Sequence, residues 1–125
     1  MINETINEPI TIGLGEINHE WLKRFKEEGL FSEMRDAYKF AIAYALSKGV
    51  TPPEILIKKE TVFNIGSLDF DRELYFCITS LMPEYKGSVY EMAERLADAG
   101  MTELVRDYQD GKLDVVGLIE SQTGI

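Results

Sequence analysis

The chain has 125 residues, 45% of them hydrophobic and 28% charged, and a formal net charge of −9. That length suits one domain over residues 1–125 with a single core, and the balance is that of a globular chain. The acidic surplus argues against broad nucleic-acid affinity, and no apolar run reaches the roughly 18–20 residues that a membrane helix needs.

The N-terminus, Met1-Ile2-Asn3-Glu4-Thr5, lacks the basic start and apolar core of a secretion signal. A single cysteine, Cys77, has no partner for an internal disulfide. The expected location is therefore the cytoplasm. Residues 91–125 carry eight acidic against three basic side chains, so the acidity gathers at the C-terminal end.

Residues 1–8 are polar and expected to fray. Ile10-Thr11-Ile12-Gly13-Leu14 alternates apolar residues and predicts a short strand. Asn18 then suits a helix cap, with Ile17 and Leu22 at hydrophobic-staple spacing, Trp21, Leu22 and Phe25 as the stripe, and Gly29 as the stop.

Ser32 starts a second helix, apolar from Met34 to Leu46 and rich in alanines that let neighbours approach; Gly49 and Pro52-Pro53 end it. In residues 54–66, Ile55-Leu56-Ile57 and Thr61-Val62-Phe63 are β-like runs that either pair as a small hairpin or cover the core irregularly. Asp69 is expected to cap a third helix to about Met82, with Leu74, Cys77, Ile78 and Leu81 inward.

Ser88-Val89-Tyr90-Glu91 matches a capping box and opens a fourth helix, which Gly100 breaks or kinks. Thr102 then caps a continuation with Leu104, Val105 and Tyr108, and Leu113 to Ile119 forms a short last helix. The expected fold is mainly α: four to six helices around a central apolar helix, with a short N-terminal strand and the optional hairpin.

The chemistry-bearing residues read mostly as structural. His19, the only histidine, has no orienting partner or nucleophile placed by sequence, and is expected exposed in a first helical turn. Cys77 between Phe76 and Ile78 reads as a buried small hydrophobe rather than a reactive thiol.

Asp69-x-Asp71-x-Glu73 resembles a metal loop, but Leu74 stands where an EF-hand needs glycine, and acids suit a helix start. Asp107, Asp110 and Asp114 around Gly111 form a second acidic group of the same standing. Gly13-x-Gly15 suggests a dinucleotide loop, yet Asn18 replaces the third glycine and no parallel βα units follow. Tyr85, Tyr90 and Tyr108 with Phe70 are expected to pack half-buried rather than form a binding face. No cofactor and no metal are expected.

Two resemblances add to this. Residues 9–48, with Ile10-Thr11-Ile12-Gly13-Leu14, Trp21-Leu22, Gly29-Leu30-Phe31-Ser32 and Asp36-Ala37, resemble a ribbon–helix–helix DNA-binding unit. That family pairs its strand with a twin across a dimer axis and holds phosphate at the second helix. The resemblance implies Thr11 and Gly13 facing DNA and Ser32 with Arg35 near phosphate. Gly13 offers no side chain there, and Glu33 and Asp36 flank the phosphate position.

Residues 31–121, through Phe31-x-x-Met34-x-Asp36-Ala37-x-x-Phe40-Ala41 and Tyr90-Glu91-x-Ala93, then Ala97-x-Ala99-Gly100-Met101, resemble small proteins accompanying bacterial DNA phosphorothioation (Dnd) systems. That implies a helical accessory protein with no assigned catalytic residue.

The function expected first is therefore a non-catalytic accessory or adaptor protein of a prokaryotic DNA-modification or defence system, acting through protein contacts. The alternative is a dimeric ribbon–helix–helix regulator or antitoxin, the one case with nucleic acid as partner. An unfamiliar enzyme site around Asp69, Asp71 and Glu73 is a third reading.

Overall fold

The structure, a computed structural model, describes residues 7–113. Its elements in order are strand β1 (Thr11–Gly15), helices α1 (Glu16–Glu27) and α2 (Met34–Ser47), strand β2 (Lys59–Asn64), the one-turn helix α3 (Ile65–Leu68), α4 (Glu73–Leu81) and α5 (Val89–Gln109). The final expected helix, Leu113 to Ile119, falls almost wholly outside the described residues, as does Asp114.

This corrects the mainly-α expectation. The molecule is a small mixed α/β structure, five helices with a two-stranded antiparallel sheet. Nor is that sheet a local hairpin, because β2 pairs with β1 across some fifty residues of sequence, Thr11 opposite Asn64 and Gly15 opposite Lys59. Residues 55–57 do not pair with 61–63. Pro52 and Pro53 lack amide donors, and Arg95 holds their carbonyls, at 2.8 Å for Pro52 and 3.4 Å for Pro53. The segment is thereby stretched along α5 instead of folding back.

A bulge between Ile12 and Gly13 leaves Val62 without an opposite residue. There the strands come so close that a Cβ on Gly13 would meet the Glu60 carbonyl oxygen at 1.9 Å. Gly13 is thus required by backbone proximity.

The core lies between α2 and α5. Ala37, Ala41 and Ala45 of the first and Ala93 and Ala97 of the second are all buried. The closest approach is at Gly100, where an added Cβ would sit 1.8 Å from the Ala41 carbonyl oxygen. Gly100 therefore neither breaks nor ends α5, which runs unbroken for 21 residues. Packing against α2 outweighs the ~1 kcal/mol that glycine costs inside a helix. Tyr38, Leu22, Phe25, Phe31 and Leu104 are among the other side chains of the interior.

Several helix starts differ from expectation. α1 begins at Glu16 after Gly15, so Asn18 sits inside the first turn, buried, and caps nothing. α2 begins after Glu33, not Ser32. α4 begins after Arg72, whose φ of 60° is left-handed and costs a non-glycine residue about 1 kcal/mol. The Asp69 carboxylate still serves that helix, accepting from the amides of Leu74 at 2.9 Å and Tyr75 at 3.0 Å. Cys77 and Leu81, expected inward on α4, are exposed, and only Leu74 and Ile78 are buried there.

Ser88 caps α5 as the capping box predicts. Glu8, expected to fray, adds its carboxylate to the same end, accepting from the amides of Val89 at 2.9 Å and Tyr90 at 3.1 Å.

Candidate functional site

Most chemistry-bearing residues are occupied within the fold. Both glycine amides that would face a phosphate in a dinucleotide loop meet carboxylates of α5: Gly13 donates to Glu94 Oε2 at 2.8 Å and Gly15 to Asp98 Oδ1 at 2.9 Å. Tyr38 donates to the Gly13 carbonyl at 2.8 Å, and burial pushes that phenol well above its ordinary pKa. Lys59 closes on Glu94 Oε1 at 2.9 Å.

Asn18 donates to the Asp98 carbonyl, to Asp98 Oδ1 and to Thr102 Oγ1 at 3.0–3.1 Å. Glu94, Asp98 and Thr102 stand four residues apart, so they form one stripe along α5. That stripe satisfies the edge of β1 turned away from β2. The sequence carried this signal in its spacing, but polar residues in that register also mark a solvated face.

The DNA contacts implied by the ribbon–helix–helix resemblance divide. Thr11 is exposed and Gly13 buried at the sheet. Ser32 and Arg35 line an open hollow of about 540 Å³ with Lys26, Met34, Phe63 and Leu68, and Arg35 is bound to Glu33 at 2.9 Å. With β2 on one edge of β1 and α5 on the other, no free edge remains for a twin strand.

His19 is not exposed as expected. It is half-buried with Nδ1 2.7 Å from Glu60 Oε1, and this contact holds the Glu60 carboxyl below its ordinary range. Asp107 receives Tyr44 and Lys48, and the Lys48 hydrogen bond, ahead of the tyrosine's, lowers its pKa.

Asp69 receives Tyr90 Oη at 2.8 Å, and burial with this bond raises the phenol's pKa strongly. Asp71 accepts from the Glu73 amide. Among the described residues no three His, Cys, Asp or Glu side chains group so as to hold a metal. Tyr85 and Tyr108 are half-buried as expected, with their hydroxyls on the Ser88 carbonyl and Glu28, whereas Tyr90 is buried and Phe70, expected half-buried, is exposed.

A second concavity, a groove of about 500 Å³, lies between the start of α1, the later half of α5 and the 54–57 segment. Its apolar lining is Ile17, Trp21, Ile55, Leu56, Ile57 and Val105, with Glu54, Asp98 and Arg106 among its polar walls. Leu56 is 89% exposed and Ile17 62%. An apolar concavity with polar walls suits capture of an apolar group.

Sequence reasoning missed it, placing Ile17 in a staple and Ile55-Leu56-Ile57 in a hairpin or over the core. The available signal was three consecutive apolar residues in an extended segment, whose side chains cannot all point to one face.

No protein-family model, no curated protein and no solved structure matches this chain. Within the described residues no helix is long and apolar enough to cross a membrane.

Proposed function

We propose that this chain is a non-catalytic accessory protein of the cytoplasm that works by protein–protein contact. Its groove receives an apolar segment of a partner flanked by lysine or arginine. The observation that carries the reading is the groove beside Trp21, where isoleucine and leucine side chains stand in solvent.

Charge supports the choice of partner. The whole chain stands at −9, and Glu54 lines the groove opposite Arg106, while Asp98 is held by Gly15 and Asn18 and Glu16 and Glu20 on α1 are paired with Lys58 and Lys23. Such a field steers a basic segment towards the site and repels acidic competitors. The resemblance of residues 31–121 to small proteins of DNA phosphorothioation loci supports a prokaryotic DNA-modification or defence system as the setting. The ribbon–helix–helix alternative draws no support from β1, whose two edges are engaged within the chain.

Affinity capture at native expression tests this. The wild type is expected to recover a defined partner in stoichiometric amount, from a DNA-modification or nuclease locus, and Leu56→Glu to lose it while keeping its fold. Recovery of the protein alone, or equal recovery by both forms, overturns the reading.

A further inference from the structure

One wall of the groove is a strap, residues 54–57, whose hydrogen bonds lie only at its two ends. Ahead of it, Arg95 of α5 grips the carbonyls of Pro52 and Pro53. Behind it, three contacts join residues 58–60 to the start of α1. The Glu16 amide donates to the Lys58 carbonyl at 2.8 Å, Lys58 Nζ lies 3.5 Å from Glu16 Oε2, and His19 Nδ1 lies 2.7 Å from Glu60 Oε1.

Between these anchors, no backbone N–H or C=O of Glu54, Ile55, Leu56 or Ile57 meets a partner among the described residues. Leu56 stands in solvent, while Ile57 Cδ1 would lie 2.8 Å from a Cβ added at Gly15. A run with open backbone groups and little buried apolar surface is where a fold opens at low cost.

We propose that the His19–Glu60 contact is a pH-sensitive latch for this strap, firm when the imidazole is protonated and looser when it is neutral. As regulation of the groove it rests on the proposed function; as a device of the fold it does not.

Of the three contacts at the second anchor, one alone changes charge near neutrality. Lysine and glutamate keep their state there, whereas histidine changes charge within about pH 5–8. A neutral imidazole still donates from Nδ1, but protonation makes the bond charge-assisted and about twice as strong. Glu60 stays ionised throughout, because the His19 hydrogen bond holds its carboxyl below the ordinary range. The pair is partly sheltered, the His19 side chain being 13% exposed and that of Glu60 30%, so salt screens it less than an open surface pair.

The surrounding charges carry both signs. Lys58 and Lys23 act on the Glu60 carboxylate, and Glu91 and Glu94 of α5 line the same small cavity as Glu60. Glu94 is taken by Lys59 and the Gly13 amide, Glu16 by Lys58 and Glu20 by Lys23. Glu60 is the carboxylate in contact with His19.

Amide hydrogen exchange of the full chain, read by NMR and corrected for its intrinsic pH dependence, tests the latch at the Glu16 amide. Protection there is expected to fall about threefold between about pH 5.5 and 8.0, the scale of a partly exposed charge pair. The Val50 amide, bonded to the Ala45 carbonyl after α2, keeps its protection. His19→Gln and Glu60→Gln, each checked for retained fold by circular dichroism, are expected to show no such fall. In the wild type alone, the Ile57 δ1 methyl resonance should titrate with the same midpoint as the His19 ring protons. Constant Glu16 protection in the wild type, an equal fall in both variants, a matching fall at Val50, or an Ile57 methyl that does not follow His19 overturns the proposal. No partner enters the experiment, so its failure leaves the groove reading standing.

Discussion

Gly100 sits where two tendencies oppose each other. Inside an exposed helix, glycine to alanine gains about 1 kcal/mol; here the new methyl would lie 1.8 Å from a backbone oxygen of α2, which no side-chain rotation relieves. Forcing helices apart costs about 1–3 kcal/mol or more. Gly100→Ala is therefore expected to destabilise the protein, and denaturant titration should show a lower midpoint. An unchanged or higher midpoint would mean that α2 and α5 are not so close.

Asp107 gives a pH signature. Lys48 and Tyr44 hold its pKa below the ordinary 3.8. A depressed carboxyl contributes stability that is complete above its unfolded value and lost as pH falls through the folded one. Asp107→Asn is thus expected to be less stable at pH 7 and to lose less on acidification below about 3.8 than the wild type. Parallel acid limbs in the two proteins would contradict this.

Helix α5 organises the other elements, because one face packs on α2 while the Glu94–Asp98–Thr102 stripe holds β1 and α1. Its N-terminus is fixed from a distance by Glu8. Glu8→Ala is expected to lower stability by about 1 kcal/mol, the ordinary worth of a helix cap, with the first turn of α5 exchanging its amide protons faster. Unchanged exchange at Val89 and Tyr90 would show that the cap does not form in solution.

The elements differ in how far the sequence announced them. α2 and α5 were legible from their apolar periodicity, and α5 also from its Ser88 cap, but the start of α2 was misplaced at Ser32 and Gly100 was misread as a break in α5. β1 was legible from its alternation. β2 was not, because its partner lies far along the chain and local pattern carries no record of which strand pairs with which. α4 misled for a related reason: its apolar residues surround it, so periodicity had no face to select, and Cys77 and Leu81 were placed inward.

At the scale of the whole molecule, the polar chemistry turns largely inward. The glycine amides, Asp69 and Asp107 are taken by internal partners, while apolar side chains stand in solvent at two separate places. The groove was the least legible feature, since it is formed by Ile17, Trp21 and residues 54–57, which meet only in the fold. Leu56→Glu, at an exposed position, is expected to alter stability by no more than about 0.5 kcal/mol and yet abolish partner capture. A large loss of stability would show that Leu56 belongs to the fold rather than to a partner.

The most direct test of the groove is photo-crosslinking in the native host. A benzophenone amino acid at position 56 is compared with the same group at position 43, the exposed Ala43 of α2. The account predicts one discrete adduct with another protein from position 56 and none from position 43. Equal labelling from both positions, or no adduct from position 56 at native expression, would contradict it.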